Sequence, residues 1–240
     1  MINTTPTPSV QAPANARFQP QPITTAVVGA GGLAPAAIAH PKFTTVVQDA
    51  PPKGIEWILR ELGPTTLVAI HPDSGAIHAF WLDETCVDCA TRWAAARNGA
   101  GFNIYFTANL PRQGLQKKPT KADIETIRCI FADLDAKDGR TMDDCLEALT
   151  LLSKQPSLIV MSGGGYQPIW LLDPPVPATT QAVERAESIA RETARLLGGD
   201  SIQNADRLLR MPFTMNYPNK RKRDDGRAPC PSGVLVRADQ

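Results

Sequence analysis

The run Ile130-Phe131-Ala132-Asp133-Leu134-Asp135 constrains this chain more than any other. Its apolar part reads as a buried strand, and it ends in two carboxylates that cannot share that burial without partners. Alternation with a period of two puts Asp133 and Asp135 on one face, with their α-carbons roughly 7 Å apart. Such a pair can reach one cation or two. Oxygen-only ligands at a strand end suit Mg²⁺ or Mn²⁺, which bind through one or two carboxylates together with substrate phosphates. The plain alternative is two solvated acids, or acids that cap the next helix.

The flanking segments supply the partners this strand needs. Residues 53–62 read as an amphipathic helix stopped by Gly63-Pro64, and 66–71 and 76–82 as two strands joined by the turn Pro72-Asp73-Ser74-Gly75. A helix over 85–97, a strand over 102–107, the strand 128–135 and a helix over 142–154 follow. Strands over 157–161 and 166–172 then flank Ser162-Gly163-Gly164-Gly165, before a long helix over 180–197 that stops at Gly198-Gly199. This alternation predicts a layered α+β domain over 53–240. Residues 1–52, rich in Pro, Thr, Ala and Gln and almost uncharged, read as a disordered leader. Beyond Arg210 the chain reads as loop, with the basic run Lys220-Arg221-Lys222-Arg223.

At 240 residues and 42% apolar content the chain suits one core of ordinary size. A net charge of +1 excludes a globally basic protein, so contact with nucleic acid must come from local clusters of Lys and Arg. Five cysteines, an odd number, and no secretory signal predict reduced thiols and a cytoplasmic protein. No apolar stretch approaches the roughly 20 residues that span a bilayer, so no membrane partner is expected.

Two further segments carry chemistry. Ser162-Gly163-Gly164-Gly165 lies between apolar strands, where backbone amides can approach a phosphate without side-chain hindrance, although a flexible turn would have the same composition. The segment from Asn204 to Asn216 offers Asp206 as a third acid and Arg210 as a cation for phosphate, with Lys220 just beyond it.

In this order the three segments resemble the archaeo-eukaryotic primase-polymerase superfamily, especially the RepB-like primase domains of plasmid, phage and mobile-element replication proteins. The resemblance covers residues 102–227. It implies an RRM-like antiparallel or mixed sheet with packed helices. It implies metal ligation by Asp133, Asp135 and Asp206, and a nucleotide site at Ser162, Gly163, Gly164, Gln167, Arg210, Asn216 and Lys220. The implied activity is primer synthesis with Mg²⁺ or Mn²⁺, from nucleoside triphosphates on a single-stranded DNA template, beside a helicase domain or protein. Arg112, Lys117, Lys118 and Lys121 are the expected template contacts. Two positions depart from the family pattern: Gln167 stands where His is common, and Phe213 where Gly is usual. Gln can donate a hydrogen bond to phosphate but carries no charge and shuttles no proton. A non-catalytic nucleic-acid- or nucleotide-binding replication module is therefore the second expectation. A sugar-nucleotide glycosyltransferase, which would leave residues 206–216 without a role, is the third.

Other features are set aside. Cys86-x-x-Cys89 is half of a zinc site without its other half, and reads as buried helix cysteines near Trp93. His71 and His78 flank the first hairpin turn with no nucleophile in a recognisable setting.

Overall fold

The computed structural model describes residues 43–46, 54–83, 85–201 and 203–237, with the backbone alone at 43–46 and 236–237. The elements in chain order are β1 (Phe43–Val46), α1 (Ile55–Leu62), β2 (Thr65–Ile70), β3 (Ile77–Leu82), α2 (Val87–Gly99), β4 (Asn103–Thr107), β5 (Leu110–Pro111), β6 (Ile124–Phe131), β7 (Leu134–Asp135) and α3 (Met142–Thr150). They continue with β8 (Leu158–Met161), β9 (Gly165–Pro177), α4 (Thr180–Leu196), β10 (Leu208–Arg210), β11 (Met215–Asn216), α5 (Lys220–Asp224), β12 (Cys230–Pro231) and β13 (Gly233–Arg237). The larger sheet runs β1-β13-β8-β9-β6-β5, with β7 also paired to β9, and the smaller runs β10-β4-β2-β3. Every strand pairing is antiparallel. The expected α+β class and the β2–β3 hairpin are both present.

Alternation along the strands divides the larger sheet between two cores. Ile159, Trp170 and Leu235 pack with α3 and α4, whereas their chain neighbours Val160, Ile169 and Val234 pack on the opposite side with α1, α2 and the smaller sheet. A register shift between Ile127 and Cys129 keeps this sorting along β6, because Ile127 and Ile130 face the first core while Cys129 and Phe131 face the second. Arg128 joins the sheets from the interior: its guanidinium donates to the carbonyls of Leu62, Pro64 and Thr107 at 2.7–3.0 Å.

Three expectations change. The chain beyond Arg210 is not loop alone, since β13 lies inside the larger sheet between β1 and β8. Its Val-Leu-Val run is short and follows a Pro-rich stretch, and its strand character comes from its partners in the sheet. Phe43–Val46, inside the stretch read as a leader, pairs with β13; residues 1–42 and 47–52 of that stretch lie outside the described residues. Cys86 and Cys89, expected reduced and buried, are half-buried and joined as a disulfide, with the start of α2 holding their α-carbons 5.2 Å apart. Among the described residues no helix is long and apolar enough to cross a membrane.

Candidate active site

The ladder between β6 and β9 gives out where the acids begin. Phe131 pairs with Ile169, and the next partner, Pro168, accepts from Ala132 N at 3.1 Å but has no N–H to return. Pairing resumes only at Leu134 and Asp135, so the strand expected to run unbroken over 128–135 is interrupted at Ala132 and Asp133. The carbonyl of Asp133 accepts from Asp200 N at 2.9 Å, which draws the exit of α4 against the acids. Gly199 permits that approach, because a Cβ there would lie 2.7 Å from both the Asp133 carbonyl oxygen and Leu134 Cδ2.

Asp133 and Asp135 open into a cleft of about 970 Å³. Asp133 is 9% exposed. Its Oδ1 accepts from Gln167 Nε2 at 3.3 Å and its Oδ2 pairs with Arg207 Nη2 at 2.9 Å. Gln167 Oε1 in turn accepts from Arg210 N at 2.8 Å, so this one amide ties the acid to β10. The departure at Gln167 is thus a wired position, neutral and fixed at both ends. Asp135 is half-exposed, and burial, together with the charges of Asp133 and Asp200, holds its carboxyl above the usual range. Lys137 stands 3.9 Å from Asp135 and 2.5 Å from Asp200, and the bond to Asp200 raises its ammonium.

The same cleft carries cations. Arg210 is 8% exposed, with its guanidinium 4.3 Å from the centre of the Tyr105 ring and Nη2 donating to Tyr105 Oη at 3.1 Å. Its Nε and Nη1 are buried without a hydrogen-bond partner, and desolvation lowers its pKa. A buried guanidinium that lacks a carboxylate lacks an anion. Lys222 and Arg227 line the same cleft, and neither they nor Arg210 forms an ion pair with a described carboxylate.

The glycine turn borders this cleft. At Gly163, where φ is +93°, an added Cβ would collide with Cys230 Sγ, so position and backbone both require glycine. Asn216 Nδ2 donates to Ser162 O at 2.6 Å and anchors the turn to β11. That strand is held by two side-chain amides acting as strand surrogates: Asn98 exchanges bonds of 2.8 and 2.9 Å with Met215, and Asn103 does the same with Tyr217. Phe213, where the resemblance led to an expectation of glycine, takes φ +62°, the left-handed conformation that glycine adopts without strain.

Of the residues expected in the site, Asp133, Asp135, Asp206, Ser162, Gly163, Gly164, Gln167, Arg210, Asn216 and Lys118 line the cleft. Asp206 does not join Asp133 and Asp135 on a common point: among the described residues no three His, Cys, Asp or Glu side chains form a group that could hold a metal. The third acid whose field reaches Asp135 is Asp200. Lys220 pairs with Asp224 at 2.7 Å, and Lys222, two residues on, lines the cleft. The expected template cluster is largely compensated: Arg112 and Lys117 pair with Asp123, and Lys121 with Glu187. Tyr105, Asp200, Arg207, Lys222 and Arg227 were not read from the sequence. Tyr105 had a signal, since Asn103 and Tyr105 alternate with the core residues Ile104 and Phe106 along one short strand. Asp133 and Asp135 place carboxylate oxygens on the cleft, the ligand type that Mg²⁺ and Mn²⁺ take alongside phosphate and water.

No family model matches the chain and no curated protein matches it. Among solved structures it is similar to the AEP domain of the cyanophage S-2L primase-polymerase, at 16% identity over 78% of this chain and 89% of that one, with a TM-score of 0.50. It is similar to primase RepB′ at 17% identity over 68% of this chain and 50% of that one, TM-score 0.50. The catalytic domain of RepB′ in complex with initiator DNA gives 16% identity over 77% and 83%, TM-score 0.50. At such identity the likeness shows the fold alone, one shared with the AEP domain of that primase-polymerase and with RepB′.

Proposed function

We propose that this primase-type domain catalyses template-directed nucleotidyl transfer, making nucleic-acid primers in the replication of a plasmid, phage or mobile element. One observation carries the reading: a single cleft sets the Asp133–Asp135 pair against a buried guanidinium, Arg210, that has no anion of its own. The reaction is attack of a 3′-hydroxyl on the α-phosphate of a nucleoside triphosphate, with pyrophosphate leaving. Asp133 and Asp135 would hold Mg²⁺ or Mn²⁺, whose charge supports the attacking and leaving oxygens when bound. Asp200 and Asp206 line the same cleft, and Asp200, whose charge reaches Asp135, would add to the negative field that holds the cation. Arg210, Lys222 and Arg227 hold the triphosphate, and Gly163 and Gly164 let it approach the backbone. Gln167 keeps the Asp133 carboxylate aimed; it neither takes nor gives a proton, so the proton of the attacking hydroxyl leaves by another route. Single-stranded DNA is the template, in keeping with the neighbour solved with initiator DNA.

A second reading, a non-catalytic nucleic-acid-binding module, is favoured by the absence of a third converging acid among the described residues. The glycosyltransferase reading draws nothing from the fold. Incorporation of labelled triphosphates on single-stranded DNA with Mg²⁺ or Mn²⁺ separates the first two: metal-dependent product from the wild type, lost in Asp133→Ala plus Asp135→Ala, supports transfer. A folded protein that binds DNA and yields no product with either metal supports the module.

A further inference from the structure

Asp133, Asp135 and Asp200, three of the four acids that line the cleft, have an internal cation. Arg207 Nη2 sits 2.9 Å from Asp133 Oδ2, and Lys137 Nζ lies between Asp135 and Asp200. With Oδ1 taken by Gln167, both oxygens of Asp133 are engaged within the protein. Each oxygen keeps a free lone pair, but a divalent cation that binds at Oδ2 meets the Arg207 guanidinium at close range, and like-charge repulsion favours the departure of Arg207 over that of the neutral Gln167. Gln167 is not free to leave, since it is 7% exposed and its other end is fixed to Arg210 N. Arg207 is arranged differently. Its backbone is pinned at both groups, N to Asn204 O at 3.0 Å and O from Ala108 N at 2.9 Å, while its side chain is 30% exposed in the cleft.

We propose that Arg207 is an exchangeable counter-ion: it neutralises Asp133 in the metal-free protein and releases that oxygen when a divalent cation binds. The inference rests on the reading of Asp133 as a metal ligand. Arg207 and the metal then compete for one carboxylate. The released guanidinium stays in the cleft that Arg210, Lys222 and Arg227 also line, so the charge of Arg207 adds to theirs for an anion only once the metal is in place. Metal and triphosphate therefore bind with positive coupling that runs through Arg207, and by linkage the coupling is the same in either order of addition.

The test is a Mn²⁺ titration of the whole chain followed by electron paramagnetic resonance, for the wild type, Arg207→Gln and Asp133→Asn. Without nucleotide, Arg207→Gln should bind the first Mn²⁺ about tenfold tighter than the wild type, since its competitor is gone. Adding a nucleoside triphosphate should then improve Mn²⁺ affinity less in Arg207→Gln than in the wild type. A folded Arg207→Gln that binds Mn²⁺ with wild-type affinity or more weakly overturns the exchange. Should that variant not fold, the wild type answers alone: the Arg207 Nε–H nuclear resonance, assigned by its loss in Arg207→Lys, should shift on addition of Mg²⁺ and not respond in Asp133→Asn. A resonance unmoved at saturating Mg²⁺ also overturns it. If the wild type has no saturable Mn²⁺ site that Asp133→Asn removes, the metal reading falls and takes this inference with it.

Discussion

Asp123 and Asp133 bracket β6, one just before it and the other two residues beyond, and both are nearly buried carboxylates with basic partners. Asp123 is closed. Thr120 donates to it from backbone and hydroxyl at 2.9 and 2.7 Å, and Lys117 and Arg112 pair with it at 3.0 and 3.1 Å. The Thr120 amide leads the effects that hold its carboxyl well below the usual range. Asp133 has one cation and one amide, shares its surroundings with Asp135 and Asp200, and opens into the cleft. A carboxylate saturated by its own chain serves the fold. A carboxylate held among like charges, facing a buried cation without an anion, is set up for a ligand.

The sharpest way to break this contrast is on its cationic side. Arg210→Gln should weaken nucleoside triphosphate binding by ~2 kcal/mol, about thirtyfold, in a calorimetric titration. Unchanged affinity would mean that Arg210 is structural like Asp123. Lys222→Gln and Arg227→Gln, at exposed positions, should each cost about threefold and flatten the salt dependence of single-stranded DNA binding. On the structural side, a depressed carboxyl contributes stability that is present above the ordinary carboxylate range and is lost as pH falls through its lowered folded value. Asp123→Asn should therefore lower the thermal midpoint by a few degrees at neutral pH and leave a shallower loss toward acid than the wild type shows. The smallest effect belongs to the compensated loop: Arg112→Gln plus Lys121→Gln should change single-stranded DNA affinity less than about twofold. A larger loss would restore that loop as a template contact.

How far the sequence disclosed all this depended on how local each signal is. The β2–β3 hairpin was legible because Pro72-Asp73-Ser74-Gly75 encodes a turn within four residues. The further use of that turn was not legible: Asp73 Oδ1 accepts from Lys220 N at 2.7 Å and Oδ2 pairs with Arg223 at 3.0 Å, some 150 residues away. Asp133 and Asp135 announced themselves as charges at the end of an apolar run. Their setting did not, because it is made by Arg207, Gln167 and Asp200 from three other segments. Period-two spacing also hid the break at Asp133, which comes from the missing N–H of Pro168 across the ladder. The loop at 112–121 showed only part of its setting for the converse reason: its charges are visible in one stretch, while Glu187, which pairs with Lys121, lies on α4.

The most direct measurement is primer synthesis on single-stranded DNA with Mn²⁺, per folded molecule, for Asp133→Asn beside Asp123→Asn, each with its thermal midpoint. The account predicts that Asp133→Asn keeps its fold and makes no product, while Asp123→Asn melts earlier and synthesises at the wild-type rate at a temperature where it is folded. Full synthesis by Asp133→Asn would contradict it.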